Sequence, residues 1–134
     1  MDKDFIKNLS RFKRVHVRVS IKGANKYEYS KLTGAKPSSY NLPFKALENL
    51  IKYNISCNAC AMISFSNKES ISDLKDRISK VWPGLLKSLE LEHITMFPKV
   101  AKRLNKHNIQ PNTIKRGKNV IHKDEAIMRY PNSL

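Results

Sequence analysis

The sequence is poor in the residues that carry several common chemistries, with only two cysteines and four glycines in 134 residues. Cys57 and Cys60 are too few for a disulfide framework or a four-cysteine zinc site. A phosphate-cradling glycine loop, a nucleophile elbow and a His-Glu-x-x-His motif are all absent. No apolar run approaches the length of a membrane span, and the start at Asp2 and Asp4 is unlike a signal peptide, so we expect a cytoplasmic protein.

Acidic residues are scarce as well, since 11 Asp and Glu stand against 26 Lys and Arg and give a formal charge of +15. Two interpretations follow: lysines solvated over the whole surface, or a nucleic-acid partner. Positive residues occur in every segment, which favours the first interpretation. The run Lys99–Lys123 favours the second, because it holds eight Lys or Arg and no acid. With Tyr27, Tyr29 and Tyr40 to stack on bases, a small basic nucleic-acid-binding α/β domain is the alternative function.

Three segments have the patterns of β-strands. In residues 15–22, β-branched residues alternate with polar ones, which predicts a strand with one apolar face and one polar face. The polar residues of this strand are His16, Arg18, Ser20 and Lys22. The segment Ile55–Phe65 is apolar on both faces, as in a sheet covered by helices on both sides. The segment Leu89–Met96 alternates as a third strand.

Helical patterns lie between these strands, over residues 5–12, 25–31, 41–54, 70–81 and 98–108. Asn41 is the expected N-cap of the third helix, Asn54 its left-handed end, and Ser70–Asp73 a capping box. Residues 112–134 are basic and without clear periodicity, so we expect a flexible tail with at most one short strand or helix around Val120–Met128. This order predicts an α/β fold, with a small parallel sheet of three or four strands and helices packed outside.

Three short motifs carry a family resemblance. They are Val19-Ser20-Ile21-Lys22-Gly23, then Leu32-Thr33-Gly34, then Ala46-Leu47-Glu48-Asn49-Leu50 before the strand from Ile55. Their order and spacing resemble radical S-adenosylmethionine proteins of the group similar to pyruvate formate-lyase activating enzymes. The resemblance covers Phe5 to Pro111. It implies that residues 1–111 are the C-terminal part of a (β/α) barrel, beginning near its fourth strand, with residues 112–134 as the basic tail.

The chain departs from this family at the cofactor site. The family holds a 4Fe–4S cluster through C-x3-C-x2-C, and the cluster chelates S-adenosylmethionine. Two cysteines cannot supply that set, and residues three apart in a strand point to opposite faces. Cys57 and Cys60 are therefore expected to be buried inert thiols, with no metal ligands in this chain. The family's early glycine-rich motif for the cofactor's amino group is expected to precede the chain.

The resemblance also implies which residues line the site. Ser20 and Lys22 occupy positions that contact S-adenosylmethionine in the family, although Ser20 replaces an Asp and Lys22 could equally be a solvated residue at a strand end. Lys99 stands where the family has a His. Further candidates for the barrel lumen are His16, Arg18, Asn58, Ser64, Glu90 and Glu92. The two glutamates are expected to pair with the buried cations rather than to act as catalytic acids or bases.

The resulting prediction is a C-terminal fragment of a radical S-adenosylmethionine protein that is inactive alone because it lacks the cluster ligands. It would be completed by a separate N-terminal half, or would self-associate, since an open fragment leaves an edge strand unpaired. Binding of nucleic acid through the Lys99–Lys123 region is the competing prediction.

Overall fold

The structure, a computed structural model, describes residues 3–123 as an α/β fold with short helices and strands. The helices are α1 (Lys3–Leu9), α2 (Lys26–Thr33), α3 (Asn41–Lys52), α4 (Lys68–Val81) and α5 (Pro98–Lys106). The strands are β1 (His16–Lys22), β2 (Ser56–Met62), β3 (Glu90–Glu92), β4 (Ile94–Thr95), β5 (Thr113–Arg116) and β6 (Asn119–His122). Two 3-10 helices, Pro37–Tyr40 and Pro83–Leu86, complete the fold. None of the helices in residues 3–123 has both the length and the apolar character needed to cross a membrane.

The main sheet has the order β1-β2-β3, and both of its strand pairs are parallel. The predicted small parallel sheet with helices is therefore confirmed, and it does not close into a barrel within residues 3–123. β1 pairs with β2 along its full length, from His16 opposite Ser56 to Lys22 opposite Met62. β3 pairs only with the end of β2, so that Cys60 lies opposite Glu90.

The hydrophobic core lies on one face of this sheet, between β1 and β2 and the helices α3 and α4. Ile21, Leu47 and Ile78 are each 0% exposed and belong to one cluster. α3 ends where predicted, because Asn54 has φ 54 and the following Ile55 N–H donates to the Leu50 carbonyl at 2.9 Å. That reversal sends the chain directly from the helix into the strand beneath it.

Two helix starts differ from the sequence-based prediction. Asn41 is not an N-cap, because the 3-10 helix Pro37–Tyr40 runs directly into α3 and makes Asn41 the first α-helical residue. α4 begins three residues earlier than the predicted capping box, since the Asn67 side chain accepts from the Ser70 N–H at 2.7 Å. Asn and Ser are comparably good N-cap residues, so the sequence pattern alone could not decide between Asn67 and Ser70 as the start of the helix.

The third strand and the expected tail also differ from the prediction. The strand predicted over residues 89–96 is split at His93 into β3 and β4, and β4 pairs in parallel with β5. Residues 113–122 form an antiparallel hairpin of β5 and β6 around Gly117, rather than a tail. Only Ile114 and Ile121 of the hairpin face inward, against Ile94 and Met96. Two apolar positions are too few to produce a visible period in a basic segment. The remaining expected tail, 124–134, lies outside the described residues.

Candidate functional site

The face of the main sheet opposite the core is mostly polar, and within residues 3–123 its β1 side chains are exposed while Asn58 and Cys60 on β2 are buried. We call it the polar face, and it comprises His16, Arg18, Ser20, Lys22, Ser56, Asn58, Cys60, Met62, Glu90 and Glu92. All four β1 members are exposed, as are Ser56 and Glu90. Parallel sheets are normally covered on both faces, so an open polar face is the unusual feature of this molecule.

At the start of the strands, His16 bridges two side chains of β2. Its Nε2 lies 2.7 Å from Asn58 Oδ1, and its Nδ1 lies 2.7 Å from the Ser56 hydroxyl. Since Asn58 Nδ2 donates to the Ser88 carbonyl at 3.3 Å, Oδ1 is the acceptor that faces the ring. His16 Nε2–H therefore donates to Asn58, and in the neutral ring Nδ1 accepts from Ser56. Asn58 is only 5% exposed, so its amide is fixed.

Further along the strands, Arg18 joins β1 to both glutamates of β3. Its Nη2 donates to Glu90 Oε2, and to Glu92 Oε1 at 3.4 Å. The Cys60 thiol donates to the same Glu90 oxygen at 3.0 Å. The predicted pairing of the glutamates is thus confirmed for Arg18, but His16 uses Ser56 and Asn58 instead. The expected burial of the two cations is wrong, since His16 and Arg18 are both exposed. Asn58 Nδ2 also lies 3.7 Å from Cys60 Sγ, so the two groups form one network.

This network shifts the pKa of three of its members. Hydrogen bonds from Cys60 and then Arg18 lower the pKa of Glu90, which keeps its carboxylate ionised. Burial and then the hydrogen bond to Glu90 raise the pKa of the Cys60 thiol. The hydrogen bond to Glu90 raises the pKa of Arg18. The three groups therefore act as an ionised carboxylate between a guanidinium and a protonated thiol.

Cys60, Glu90 and Glu92 also have the donor types of a metal site, with ligand atoms within 4.8 Å of one another. The Arg18 guanidinium is hydrogen-bonded to both carboxylates and already supplies positive charge there. Cys57 faces the core beside Val17, on the other side of the sheet, and burial raises the pKa of its thiol. As expected from their spacing, the two thiols cannot hold one metal together.

Ser20 and Lys22 lie at the carboxyl ends of the strands and behave differently from the network. Both side chains are exposed, and neither makes a hydrogen bond or ion pair with another side chain in residues 3–123. Lys99 lies in the first turn of α5, also exposed, with no hydrogen bond that links it to either of them. Ser64 lies two residues beyond β2, fully buried, and its hydroxyl accepts from the Ile94 N–H at 2.7 Å.

The loops after β1 and β2 are held together by a residue that the sequence analysis missed. Glu28 Oε2 accepts from the Ala24 N–H at 2.8 Å and from the Ser66 hydroxyl at 2.6 Å. Gly23 has φ 96, and a Cβ there would lie 2.9 Å from Glu28 Cβ. We call these contacts the Glu28 lock, and the only sequence signal for it was a glycine at the end of a strand. The lock fixes the two loops that follow β1 and β2, beside Ser20 and Lys22, and we call these loops the rim.

In comparisons with known proteins, no family model, no curated protein and no solved structure matches the chain.

Proposed function

We propose that this chain forms the C-terminal part of a radical S-adenosylmethionine-type (β/α) barrel, and that a second polypeptide supplies the strands that complete it. The observation that carries the proposal is the polar face of a parallel sheet, on which the β1 side chains are exposed within residues 3–123. In a doubly wound fold a second helix layer would cover that face, and the layer would need apolar side chains beneath it. Arg18, Glu90 and Lys22 offer no such surface, but they suit the interior of a barrel that binds a polar ligand.

The edges of the sheet support the same proposal. β1 is an edge strand, and within residues 3–123 no strand pairs with its outer side. Its seven residues offer a complete row of backbone groups to an added strand. A strand added in parallel there would extend the sheet in the way that a (β/α) barrel requires.

The division of the polar face into two parts indicates where the ligand would lie. Near the strand starts, His16, Asn58 and Ser56 satisfy one another, and in the middle Arg18 is paired with glutamates. Among the described residues of the polar face, Ser20 and Lys22 at the carboxyl ends are the exposed side chains without a side-chain partner, and so are free to bind a ligand. Ligands of α/β proteins bind at this end of the strands. These are also the positions that the family resemblance assigns to S-adenosylmethionine.

The chain's own cysteines do not fit the family's iron–sulfur cluster. Cys57 faces the core and Cys60 faces the polar side, so three thiolates on one side of the sheet are not available in residues 3–123. The cluster would have to be held by the completing polypeptide. We therefore propose that this chain forms one side of the S-adenosylmethionine site, with Ser20 and Lys22 as ligand contacts, and that it does not bind the iron–sulfur cluster.

The test is co-expression of the chain with the polypeptide encoded immediately upstream, followed by anaerobic reconstitution with iron and sulfide. The proposal predicts a complex that produces 5′-deoxyadenosine from added S-adenosylmethionine in the presence of a one-electron reductant, while the chain alone produces none. Ser20→Trp and Lys22→Ala should abolish or strongly reduce that product in the complex. Lys45→Ala, on the exposed side of α3, is the matched control and should leave it unchanged.

Two results would overturn the proposal. One is product formation by the chain alone. The other is a purified chain that is monomeric, melts cooperatively, resists proteolysis and forms no complex with the upstream polypeptide.

A further inference from the structure

The C-terminal part of the described residues carries a second group of side chains that is basic and to which the proposed function assigns no role. We call it the basic face, and it comprises Lys99, Lys102, Arg103, Lys106, Lys115, Arg116, Lys118 and Lys123. All eight side chains are exposed, and no acidic residue occurs between the first and the last. The inference drawn from it is independent of the proposed function.

Half of the basic face is a stripe along α5. Lys99, Lys102, Arg103 and Lys106 follow the spacing i, i+3, i+4, i+7, which places them on one side of the helix. Such a stripe is about 10 Å long. Val100, Ala101 and Leu104 lie on the other side, where they are buried or half-buried. The apolar side of α5 is therefore used for packing and is not free to enter a membrane.

Three of the other cations, Lys115, Arg116 and Lys118, lie at the tip of the β5–β6 hairpin, whereas Lys123 lies at its open end, where its N–H donates to the Asn112 carbonyl at 2.7 Å. Arg116 pairs with Asn119 across a two-residue turn in which Gly117 has φ 60. Apart from its two chain neighbours, no residue has an atom within 4 Å of a Cβ built at Gly117, and Arg116, Gly117 and Lys118 are all exposed at the tip. A glycine there lets the backbone, with Lys115 and Lys118 beside it, approach a phosphate chain closely.

The basic face differs from the lysine-rich helix α4. On α4, the lysines are interspersed with three acidic residues, Glu69, Asp73 and Asp76. On α5 and the hairpin no acid interrupts the cations, a property shared with residues 5–27, which hold seven Lys or Arg and no acid. Among the described residues, the α5 cations form no ion pair and are available to an anionic partner.

His93 lies beside the hairpin and bonds to the Thr113 hydroxyl at 2.7 Å. Burial lowers the pKa of His93, and the nearby His122 and Lys115 lower it further. The exposed cations of the hairpin, Lys115, Arg116 and Lys118, favour an anionic partner.

We propose that the basic face binds the phosphate backbone of single-stranded nucleic acid. Phe97, at the start of α5, is 63% exposed beside Lys99 and offers a ring on which one base can stack. Of the predicted tyrosines only Tyr27, which is 71% exposed, stays a candidate for stacking within the described residues, and Phe97 is a stacking residue that the sequence analysis did not name. Tyr40 is buried and its hydroxyl donates to the Gly23 carbonyl, while the Tyr29 ring packs against it, so neither can receive a base.

The test is fluorescence anisotropy with a labelled oligouridine of about 20 nucleotides, recorded over a salt series. The first variant carries Lys99→Gln, Lys102→Gln, Arg103→Gln and Lys106→Gln. The matched control carries Lys68→Gln, Lys75→Gln, Lys80→Gln and Lys87→Gln, which removes the same charge from exposed positions. Circular dichroism checks that both retain the fold, and single substitutions replace any set that does not.

We expect the α5 variant to lose affinity and its log–log salt slope to fall by about 3, at roughly 0.7 for each lost phosphate contact. The control should keep the parent slope. Phe97→Ala should weaken binding by roughly fivefold or more with the slope unchanged. The proposal is overturned if the chain does not bind at physiological salt or if the control loses as much as the α5 variant. Preference for vesicles containing an anionic phospholipid over the RNA would also overturn it.

Discussion

The two faces of the β1-β2-β3 sheet come from the same strands but differ in environment, because one packs into the core and the other carries exposed polar side chains. In β1, the odd-numbered residues Val17, Val19 and Ile21 pack into the core, while the even-numbered residues remain exposed and polar. The first set stabilises the fold by removing apolar surface from water. The second set is linked by hydrogen bonds that are directed along the sheet and not into the core. A side-chain period of two thus places a core-facing set and an exposed polar set on the two sides of one seven-residue strand.

The largest expected difference between the faces is in the free energy of unfolding. Leu47→Ala removes a fully buried side chain under the sheet and should cost about 2–5 kcal/mol. Ser20→Ala, on the polar face, should change the free energy of unfolding by less than about 0.5 kcal/mol. Urea titration monitored by circular dichroism measures both. Comparable losses would show that the polar face is also part of the folding core.

The next largest change in the free energy of unfolding is expected at the rim, in the loop that follows β1. Gly23→Ala combines a φ of 96 with a Cβ that would lie 2.9 Å from Glu28 Cβ and 3.0 Å from the Tyr29 nitrogen. We expect a loss of at least about 2 kcal/mol, from backbone strain together with the steric clash. Gly34→Ala is the control, because it has a φ of 75 with nothing within 4 Å and should show the strain alone. Equal losses for the two variants would mean that the Glu28 lock is not tightly packed.

A smaller effect is expected where the core reaches this rim. Tyr40→Phe removes the hydroxyl that donates to the Gly23 carbonyl at 3.0 Å and leaves the ring contacts with Tyr29 and Phe44 in place. The loss should be about 1 kcal/mol in urea titration. A neutral substitution would indicate that water reaches the Gly23 carbonyl in place of the phenol.

The smallest effect should appear as a shift in titration on the polar face. Glu90→Gln removes the carboxylate that helps to raise the pKa of Cys60, so that pKa should fall and the thiol should react faster with a disulfide reagent at neutral pH. Cys57, whose pKa is raised by burial alone, is the internal control and should not change. Reaction rates against pH in Cys57→Ser and Cys60→Ser backgrounds separate the two thiols. A shift of equal size at both would indicate general loosening of the sheet.

The same substitution has a defined pH dependence. The pKa of Glu90 is lowered in the folded chain, so its stabilising contribution is present above the carboxyl's ordinary pKa of roughly 4.3. That contribution is lost as the pH falls through the lower folded value. The stabilities of the parent and of Glu90→Gln should therefore converge in acid and differ at neutral pH. A difference that grows on acidification would contradict the assigned sign.

The sequence predicted the features that depend on local periodicity. The two faces of β1 and the reversal at Asn54 follow from residue types along one segment, and pairing of Arg18 with glutamates follows from two alternating strands. The partners of His16 could not be predicted, because they depend on the register that sets it opposite Ser56. The break at His93 and the hairpin at 113–122 depend on pairing between short segments that lack a strong apolar period.

The most direct test of the central claim is hydrogen exchange of the β1 amides, measured in the chain alone and in its complex with the upstream polypeptide. If β1 is an open edge that the partner completes, peptides covering residues 16–22 should exchange faster than those covering 56–62 in the chain alone. They should slow markedly in the complex, while peptides from α4 stay unchanged. A complex in which β1 exchange is unaffected, or a free chain in which β1 is already as protected as β2, would contradict the account.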